Sequence, residues 1–176
     1  MRKVFTHTLL LVSLAVGHNP ATANIPKPKK VTYQDLQPDI RKQIDCLADN
    51  IYFESRSEPL KGQKAVALVT MNRTNSELFP KTVCEVVKQK KKNVCQFSWW
   101  CDPKTRAVHK QRNVNKEVYQ QVQVVATDVF LNYHMMEDVT KGALFFHAEH
   151  INPRWKTKRR TAKIGQHVFY TIKEST

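Results

Sequence analysis

The sequence predicts a mainly helical α+β domain with a small β-sheet near its C-terminus. Over much of residues 38–135, apolar side chains recur at steps of three and four, which is the spacing of one helical face. Two short aromatic stretches, residues 143–147 and 167–171, instead have the composition of strands. A chain of 176 residues has the length of one compact domain, so we assign both patterns to a single fold.

The helical pattern divides into four segments. The predicted helices cover residues 38–56, residues 63–73, a short segment after Pro80, and residues 116–135. The apolar face of the first helix comprises Ile40, Ile44, Leu47 and Ile51. Residues 88–112 keep no sustained period, and we predict a long structured loop there. A basic connection that contains a proline joins the two predicted strands.

The first 23 residues have the layout of a secretory signal peptide. A basic start precedes an apolar run over residues 9–16, and small residues follow at Ala21, Thr22 and Ala23. The alternative is an uncleaved membrane anchor, but the run is short against the ~20 residues that a spanning helix needs. We therefore predict a signal peptide over residues 1–23, an extended lead-in over residues 24–37 and one domain over residues 38–176.

The chain is strongly basic, with a formal net charge of +14. Loss of residues 1–23 would remove Arg2 and Lys3 and no acid, which leaves +12. Such a charge favours a polyanionic partner, which could be nucleic acid, anionic lipid or an anionic cell wall. Export makes nucleic acid the poorest of the three. The basic residues gather at 88–92 and 156–163, and either group taken alone could also be a solvated loop.

Four cysteines in an exported chain indicate two disulfides, with three possible pairings. Cys95 and Cys101 would close a short loop and are the preferred pair, which leaves Cys46 with Cys84. The alternative is a metal site, but the spacing lacks a C-x-x-C pair.

Glu54 is the candidate for acid–base chemistry. It follows Ile51 by three residues and so continues the apolar face of the first predicted helix. Burial there would raise the pKa of the carboxyl group, because the charged form loses hydration. A carboxylic acid still protonated near neutral pH is what glycosidic bond cleavage requires of a general acid. If the helix ended earlier, Glu54 would instead be exposed or part of a cap.

A second carboxylate, Glu58, precedes Pro59 at the start of the second predicted helix. A negative charge is favourable at a helix N-terminus, and that structural role is the preferred interpretation. Arg56 lies between the two carboxylates and could pair with either. Both Arg56 and Glu58 are included among the candidate substrate-binding residues.

Residues 95–102 place two adjacent tryptophans in a loop that a disulfide would close. Aromatic rings pack well on the apolar faces of sugars, so Trp99 is a candidate stacking residue. The alternative is that the rings fill the core, and we expect one of Trp99 and Trp100 inside and the other outside. Gln96 and Ser98 could hydrogen-bond sugar hydroxyl or acetamido groups.

His147, Glu149 and His150 raise the question of a zinc site. On a strand, His147 and Glu149 share a face while His150 points away, and the H-E-x-x-H pattern is absent. We therefore predict no metal and no other cofactor, and assign His147 a structural or substrate-orienting role. Tyr170, in the second predicted strand, completes the candidate substrate-binding set.

Taken in order, these segments resemble the SleB/CwlJ-type cell wall hydrolases. The matching stretches are residues 46–48, 51–58, 62–67, 72–73, 79–84, 95–98, 101–102, 142–147, 152–155 and 164–170. The resemblance implies a lysozyme-like fold over residues 38–176 and attack on the MurNAc–GlcNAc β-1,4 bond of peptidoglycan. The family's catalytic glutamate, the first in its E-A/S-R-G-E motif, maps onto Glu54. Ser57 stands where the family usually has glycine, and a positive φ there would strain the turn.

The resemblance implies a lytic transglycosylase, and the predicted signal peptide makes it an exported protein, secreted or periplasmic. In the mechanism that we expect, one carboxyl group acts as acid and then as base. Ordinary hydrolysis would need a second carboxylate, for which Asp102 and Glu149 are the candidates. The alternatives are a zinc-dependent N-acetylmuramoyl-L-alanine amidase, a non-catalytic cationic wall-binding or membrane-active protein, and a nucleic-acid binder. A phage lysis enzyme (endolysin), a bacterial wall-remodelling enzyme and a spore-cortex enzyme would share this pattern.

Overall fold

The computed structural model describes residues 31–173, in which helices come first and a three-stranded sheet last. The α-helices are α1 (Pro38–Ser55), α2 (Leu60–Thr74), α3 (Val83–Lys88), α4 (Ser98–Cys101), α5 (Pro103–Lys110) and α6 (Lys116–Asn132). The strands are β1 (Lys90–Lys91), β2 (Val94–Cys95), β3 (Phe145–Ala148), β4 (Lys158–Ile164) and β5 (His167–Ile172). This arrangement confirms the predicted mainly helical α+β class.

The predicted signal peptide, residues 1–23, lies outside the described residues. Part of the predicted extended lead-in is folded: Tyr33–Asp35 forms one turn of 3-10 helix. The Tyr33 hydroxyl donates a hydrogen bond to the carboxylate of Asp45 on α1, at 2.8 Å. Across residues 31–173 we find no helix whose length and hydropathy would let it cross a membrane.

Local sequence determines where several helices begin. α1 starts with Pro38 in its first turn, where the missing N–H would have no partner in any case. Thr82, Asp102 and Asn115 cap α3, α5 and α6, because each side-chain oxygen accepts the backbone N–H three residues further on.

Helix α1 is central and packs against α2, α3 and α6. Ile44, Leu47 and Ile51 are fully buried, which confirms the predicted apolar face over those positions. Ile40 is 36% exposed, so the buried face begins one turn later than predicted. Disulfides link Cys46 of α1 to Cys84 of α3, and Cys95 of β2 to Cys101 of α4, which is the preferred pairing.

Residues 88–112 are not the long loop that the sequence predicts. They form the hairpin β1–β2, followed by α4 and α5. Each of these elements has two to eight residues, so none is long enough to show a helical or alternating period. The signal that remains is local: Asp102 followed by Pro103 is a typical helix start.

The C-terminal sheet is antiparallel, with strand order β3–β5–β4. β4 occupies the segment for which the sequence predicts a basic connection. The strand is not predicted because its many charged residues hide any apolar alternation. A second small core lies between α2 and this sheet and contains Ala65, Val69, Ala143, Ile164 and Phe169.

Glu58 fastens the turn after α1 to the sheet. Its side chain is buried, and its carboxylate accepts the backbone N–H of Gln166 in the β4–β5 turn, at 3.2 Å. The carboxylate fits against two glycines: an added Cβ would lie 1.8 Å from Glu58 Oε2 at Gly165 and 2.9 Å from it at Gly62. Ser57, the departure from the family glycine, is not among the described residues with positive φ, so the turn carries no such strain.

We predict that Gly165→Ala destabilises the fold more than Gly142→Ala. Both glycines have positive φ, 56° and 72°, so alanine costs each about 1–2 kcal/mol of backbone strain. Only at Gly165 does the added methyl group also collide with Glu58, which should bring the total to about 3 kcal/mol. Urea denaturation of both variants measures the difference, and equal losses would show that the Glu58 contact is not tight.

Candidate active site

Glu54 lies in the last turn of α1, one residue before the helix ends at Ser55. It opens onto a cavity of about 550 Å³ whose walls come from α1, α4 and α5. The cavity is lined by Tyr52, Phe53, Glu54, Arg56, Ser98, Trp99, Asp102, Lys104, Thr105 and Val108. The carboxyl group is therefore shielded by the fold but still faces a space that a ligand can enter.

Burial raises the pKa of Glu54 from its ordinary value of 4.5 to about 7. The positive charge of Arg73 acts in the opposite direction and limits the rise. Near neutral pH the group is thus divided between its protonated and ionised forms. A carboxyl group in this state can donate a proton and later accept one.

Arg73 is the residue of this site that sequence reasoning missed. It is 3% exposed, and Nε donates a hydrogen bond to the carbonyl oxygen of Leu144 at 2.8 Å. The guanidinium also lies over the rings of Phe97 and Phe79, at 4.8 and 5.0 Å from their centroids. Burial lowers the pKa of Arg73 to about 10, with Glu54 opposing that fall, so it stays charged.

A signal for Arg73 was present in the sequence. It follows the buried Val66 and Val69 at steps of three and four, so it continues the inward face of α2. A cation at such a position is costly unless a carboxylate compensates it. The inward-facing Glu54 on the preceding helix is the matching carboxylate.

Trp99 supports the cavity wall rather than offering an open ring for stacking, so that part of the prediction is corrected. It is 5% exposed, stacks on Phe53 at 4.6 Å and donates its indole N–H to Asn50 at 3.0 Å. Trp100 is half-buried, with the guanidinium of Arg106 4.5 Å from its ring centroid. Trp99 is therefore the inner tryptophan, as expected, but Trp100 is partly covered rather than fully outside.

The remaining predicted residues of this region divide between two places. Ser98 and Arg56 line the cavity, and Gln96 does not. The backbone N–H of Gln96 donates a hydrogen bond to the carbonyl oxygen of Gln89, beside the β1–β2 hairpin. Arg56 pairs with neither carboxylate, contrary to the alternatives considered: it donates to the Tyr52 carbonyl at 3.1 Å and lies over the Tyr52 ring.

Asp102 is a second carboxylate in the Glu54 cavity. It is fully exposed, and its Oδ2 accepts the backbone N–H of Thr105 at 2.7 Å as the cap of α5. Hydrogen bonds from Thr105 lower the pKa of Asp102. Asp102 is consequently ionised at the pH where Glu54 is still partly protonated.

His147 and Tyr170 lie outside this cavity, in a separate cluster with Trp155. Glu149 is ion-paired with Lys163 on the exposed side of the sheet. Among residues 31–173, no three His, Cys, Asp or Glu side chains converge in a way that could hold a metal ion. His147 and Glu149 therefore belong to different local arrangements.

We predict that Glu54→Gln stabilises the fold by an amount that grows with pH. Below about pH 4.5, Glu54 is protonated in both the folded and the unfolded chain. Between pH 4.5 and 7 only the unfolded chain loses the proton, so the wild-type free energy of unfolding falls relative to the variant. The difference should reach up to about 3 kcal/mol above pH 7. Urea denaturation at pH 4.5, 6 and 8 measures it.

The matched control is Glu137→Gln, at an exposed position. Its effect on stability should stay within about 0.5 kcal/mol. A difference between wild type and Glu54→Gln that does not change with pH would contradict the burial of the Glu54 carboxyl group.

We further predict that Arg73→Met raises the pKa of Glu54 above about 7, since the opposing positive charge is lost. Arg73→Lys keeps the charge and should leave the pKa nearer to that of the wild type. Both variants replace the guanidinium by an unbranched side chain, so the comparison between them varies mainly the charge. NMR titration of the ¹³C-labelled Glu54 carboxyl group gives the values, and an unchanged pKa in Arg73→Met would remove Arg73 from the site.

Comparison with known proteins places this chain in a family. The family profile described as Cell Wall Hydrolase matches residues 57–170 and so begins just after Glu54. The chain is 30% identical to a spore cortex-lytic enzyme of Bacillus cereus over 131 residues, 73% of this chain and 44% of the relative. It is 50% identical to the spore cortex-lytic enzyme of Bacillus subtilis over 44 residues, 25% of this chain and 14% of the relative.

A solved structure is also similar to this chain. It is the catalytic domain of the germination-specific lytic transglycosylase SleB from Bacillus anthracis, with a TM-score of 0.54 and 28% identity, over 74% of this chain and 95% of that domain. This similarity confirms the lysozyme-like fold class. The chain spans less than half the length of the curated relatives it matches. The match over residues 57–170 shows that this chain belongs to the cell wall hydrolase family.

Proposed function

We propose that this protein is an exported peptidoglycan-cleaving enzyme, a lytic transglycosylase that breaks the MurNAc–GlcNAc β-1,4 bond with Glu54 as general acid and base. The observation that carries the proposal is the Glu54 carboxyl group, which faces a cavity and has a pKa of about 7. Membership of the cell wall hydrolase family supports the substrate. The name of the similar SleB domain, a lytic transglycosylase, supports the reaction.

In the first step, protonated Glu54 donates its proton to the glycosidic oxygen as the bond to C1 of MurNAc breaks. The C6 hydroxyl of the same MurNAc then attacks C1, and the Glu54 carboxylate accepts the proton of that hydroxyl. The products are a 1,6-anhydro-MurNAc end and a free GlcNAc end, with no water consumed. One carboxyl group is enough, because it is restored to its starting form at the end of the cycle.

Arg73 contributes to this cycle by its charge. Without it, burial would hold Glu54 in the protonated form, which could donate a proton but would be a poor acceptor in the second step. With the buried cation nearby, the two forms lie close in free energy at neutral pH. The same carboxyl group can therefore serve in both steps.

The charge and the cysteines support an extracytoplasmic wall location. The formal charge of +14, or +12 without residues 1–23, attracts the chain to an anionic wall. Both cysteine pairs are disulfide-bonded, which suits an oxidising compartment. The sequence of the first 23 residues supplies the export signal in this proposal.

Ordinary hydrolysis is the second candidate reaction, because Asp102 lines the same cavity as Glu54. An ionised carboxylate could activate a water molecule on the far side of the sugar ring. However, one Asp102 oxygen is engaged in capping α5. The capping role of Asp102 favours transglycosylation over hydrolysis. The products of cleavage distinguish the two reactions.

We predict that Glu54→Gln loses at least about 100-fold in the rate of release of peptidoglycan fragments, because glutamine keeps the shape but has no proton to donate. Asp102→Asn should keep activity within about threefold, since asparagine still caps α5 and only the charge is lost. Mass spectrometry of the released fragments should show anhydro-MurNAc ends for both wild type and Asp102→Asn.

Other outcomes identify other reactions. Reducing MurNAc ends together with an inactive Asp102→Asn variant would establish hydrolysis. Free stem peptides, lost on treatment with a chelator, would indicate an amidase and would overturn the role of Glu54. Wall binding without any product would indicate a non-catalytic binding protein.

A further inference from the structure

A second cavity lies away from Glu54, at the sheet end of the fold. It has a volume of about 400 Å³ and is lined by Asn152, Pro153, Arg154, Trp155, Lys156 and Tyr170. None of these residues lines the Glu54 cavity. The second cavity contains two aromatic rings and two cations but, unlike the Glu54 cavity, no carboxylate.

The aromatic part of this surface is held in a fixed arrangement. Trp155 packs edge-on against Tyr170 and His147, with ring centroids 5.4 and 5.5 Å apart. His147 and Tyr170 are themselves stacked at 5.2 Å, with an interplanar angle of 27°. Trp155 nevertheless stays 37% exposed, so part of its ring is available to a ligand.

Hydrogen bonds fix the orientation of these rings. His147 Nδ1 lies 2.8 Å from the carbonyl oxygen of Ala148, which can only accept, so Nδ1 carries the proton. His147 Nε2 is then an acceptor for the hydroxyl of Tyr170, at 3.1 Å. A surface ordered before binding loses little conformational entropy when a ligand arrives.

The charge around this surface has one sign. Residues 150–173 contain seven Lys or Arg and no Asp or Glu. Within residues 31–173, no ion pair involves Arg154 or Lys156, and the neighbouring Glu149 is already paired with Lys163. Arg154 also has a left-handed backbone, with φ of 49°, in which its N–H faces the Asn152 side chain at 3.4 Å.

A chain of ring contacts leads from this surface toward the Glu54 site. Trp155 packs edge-on against Phe145, with centroids 6.0 Å apart. The guanidinium of Arg73, the cation that acts on Glu54, lies 5.8 Å from the Phe145 ring. Because Arg73 is 3% exposed, these contacts run through the interior and join the packing under the second cavity to the packing around Glu54.

We infer that the second cavity is a second glycan-binding site, formed by Trp155, Tyr170, Arg154 and Lys156. It takes a muramyl peptide unit of the strand at a distance from the cleaved bond. The aromatic rings would pack on the apolar face of a sugar, and the two cations would pair with carboxylates of the attached peptide. A site for a phosphate polymer alone would need the cations but not an exposed, oriented tryptophan. The inference rests on the proposed function, since it assumes the same peptidoglycan substrate.

Isothermal titration calorimetry tests the inference with full-length protein carrying Glu54→Gln, which would bind without cleaving. The probes are a GlcNAc–MurNAc disaccharide bearing its stem peptide and the same disaccharide without the peptide. Trp155→Ala should weaken binding of both probes about tenfold, and Trp155→Phe should recover most of the loss. The double variant Arg154→Gln/Lys156→Gln should weaken only the peptide-bearing probe, also about tenfold.

The matched control for charge is Lys61→Gln/Lys116→Gln, two exposed lysines on α2 and α6. It removes the same charge and should leave both affinities within about twofold. Equal weakening by the two double variants would reduce the cations to a general electrostatic effect and overturn their assignment. Unchanged affinity in Trp155→Ala would overturn the site as a whole.

A phosphate polymer is the competing ligand. If poly(glycerol phosphate) binds through Arg154 and Lys156, independently of Trp155, and the muramyl peptide does not, the surface is a polyanion site and the inference fails. Failure of the proposed function would show separately, as wild-type protein that releases no fragments from peptidoglycan. Cleavage by the wild type with no effect of Trp155→Ala on binding would overturn only the second site.

Discussion

The buried carboxyl group of Glu54 is the constraint on which the rest of the site depends. A glutamate on the inner side of α1 must either keep its proton or face a compensating positive charge. The fold provides part of each solution, since burial raises the pKa to about 7 while Arg73 limits the rise. Arg73 is in turn held by the Leu144 carbonyl and by aromatic rings, so the charge balance at Glu54 depends on α1, α2 and the start of the sheet together.

Two glutamates four residues apart serve different purposes because their surroundings differ. Glu54 faces a cavity, whereas Glu58 is enclosed by the β4–β5 turn and accepts the N–H of Gln166. Space for the Glu58 carboxylate exists only because positions 62 and 165 are glycines. The corner that carries Glu58 directly follows the last turn of α1, so fixing that corner to the sheet also restrains the backbone beside Glu54.

The wall opposite Glu54 depends on short elements that caps and a disulfide support. Asp102 ends α4, caps α5 and lines the cavity, so one residue has both a structural and an electrostatic position in the site. The Cys95–Cys101 disulfide closes the segment that brings Trp99 against Phe53 and Asn50. The cavity wall at this point is formed by the edges of packed elements, which explains why the tryptophan is mostly covered.

The sequence by itself predicted the fold class and the position of Glu54 on an inward helical face, and it favoured one of three disulfide pairings, which the structure has. Each of these follows from local spacing: a period over many residues, a short loop between cysteines, or a step of three from Ile51. The tertiary structure alone decided which charged and aromatic groups meet. Arg73 lies 19 residues from Glu54 along the chain, and His147 and Tyr170 join Trp155 rather than the Glu54 cavity. Such pairings depend on how helices and strands pack, and packing brings together residues whose separation in the sequence carries no periodic signal.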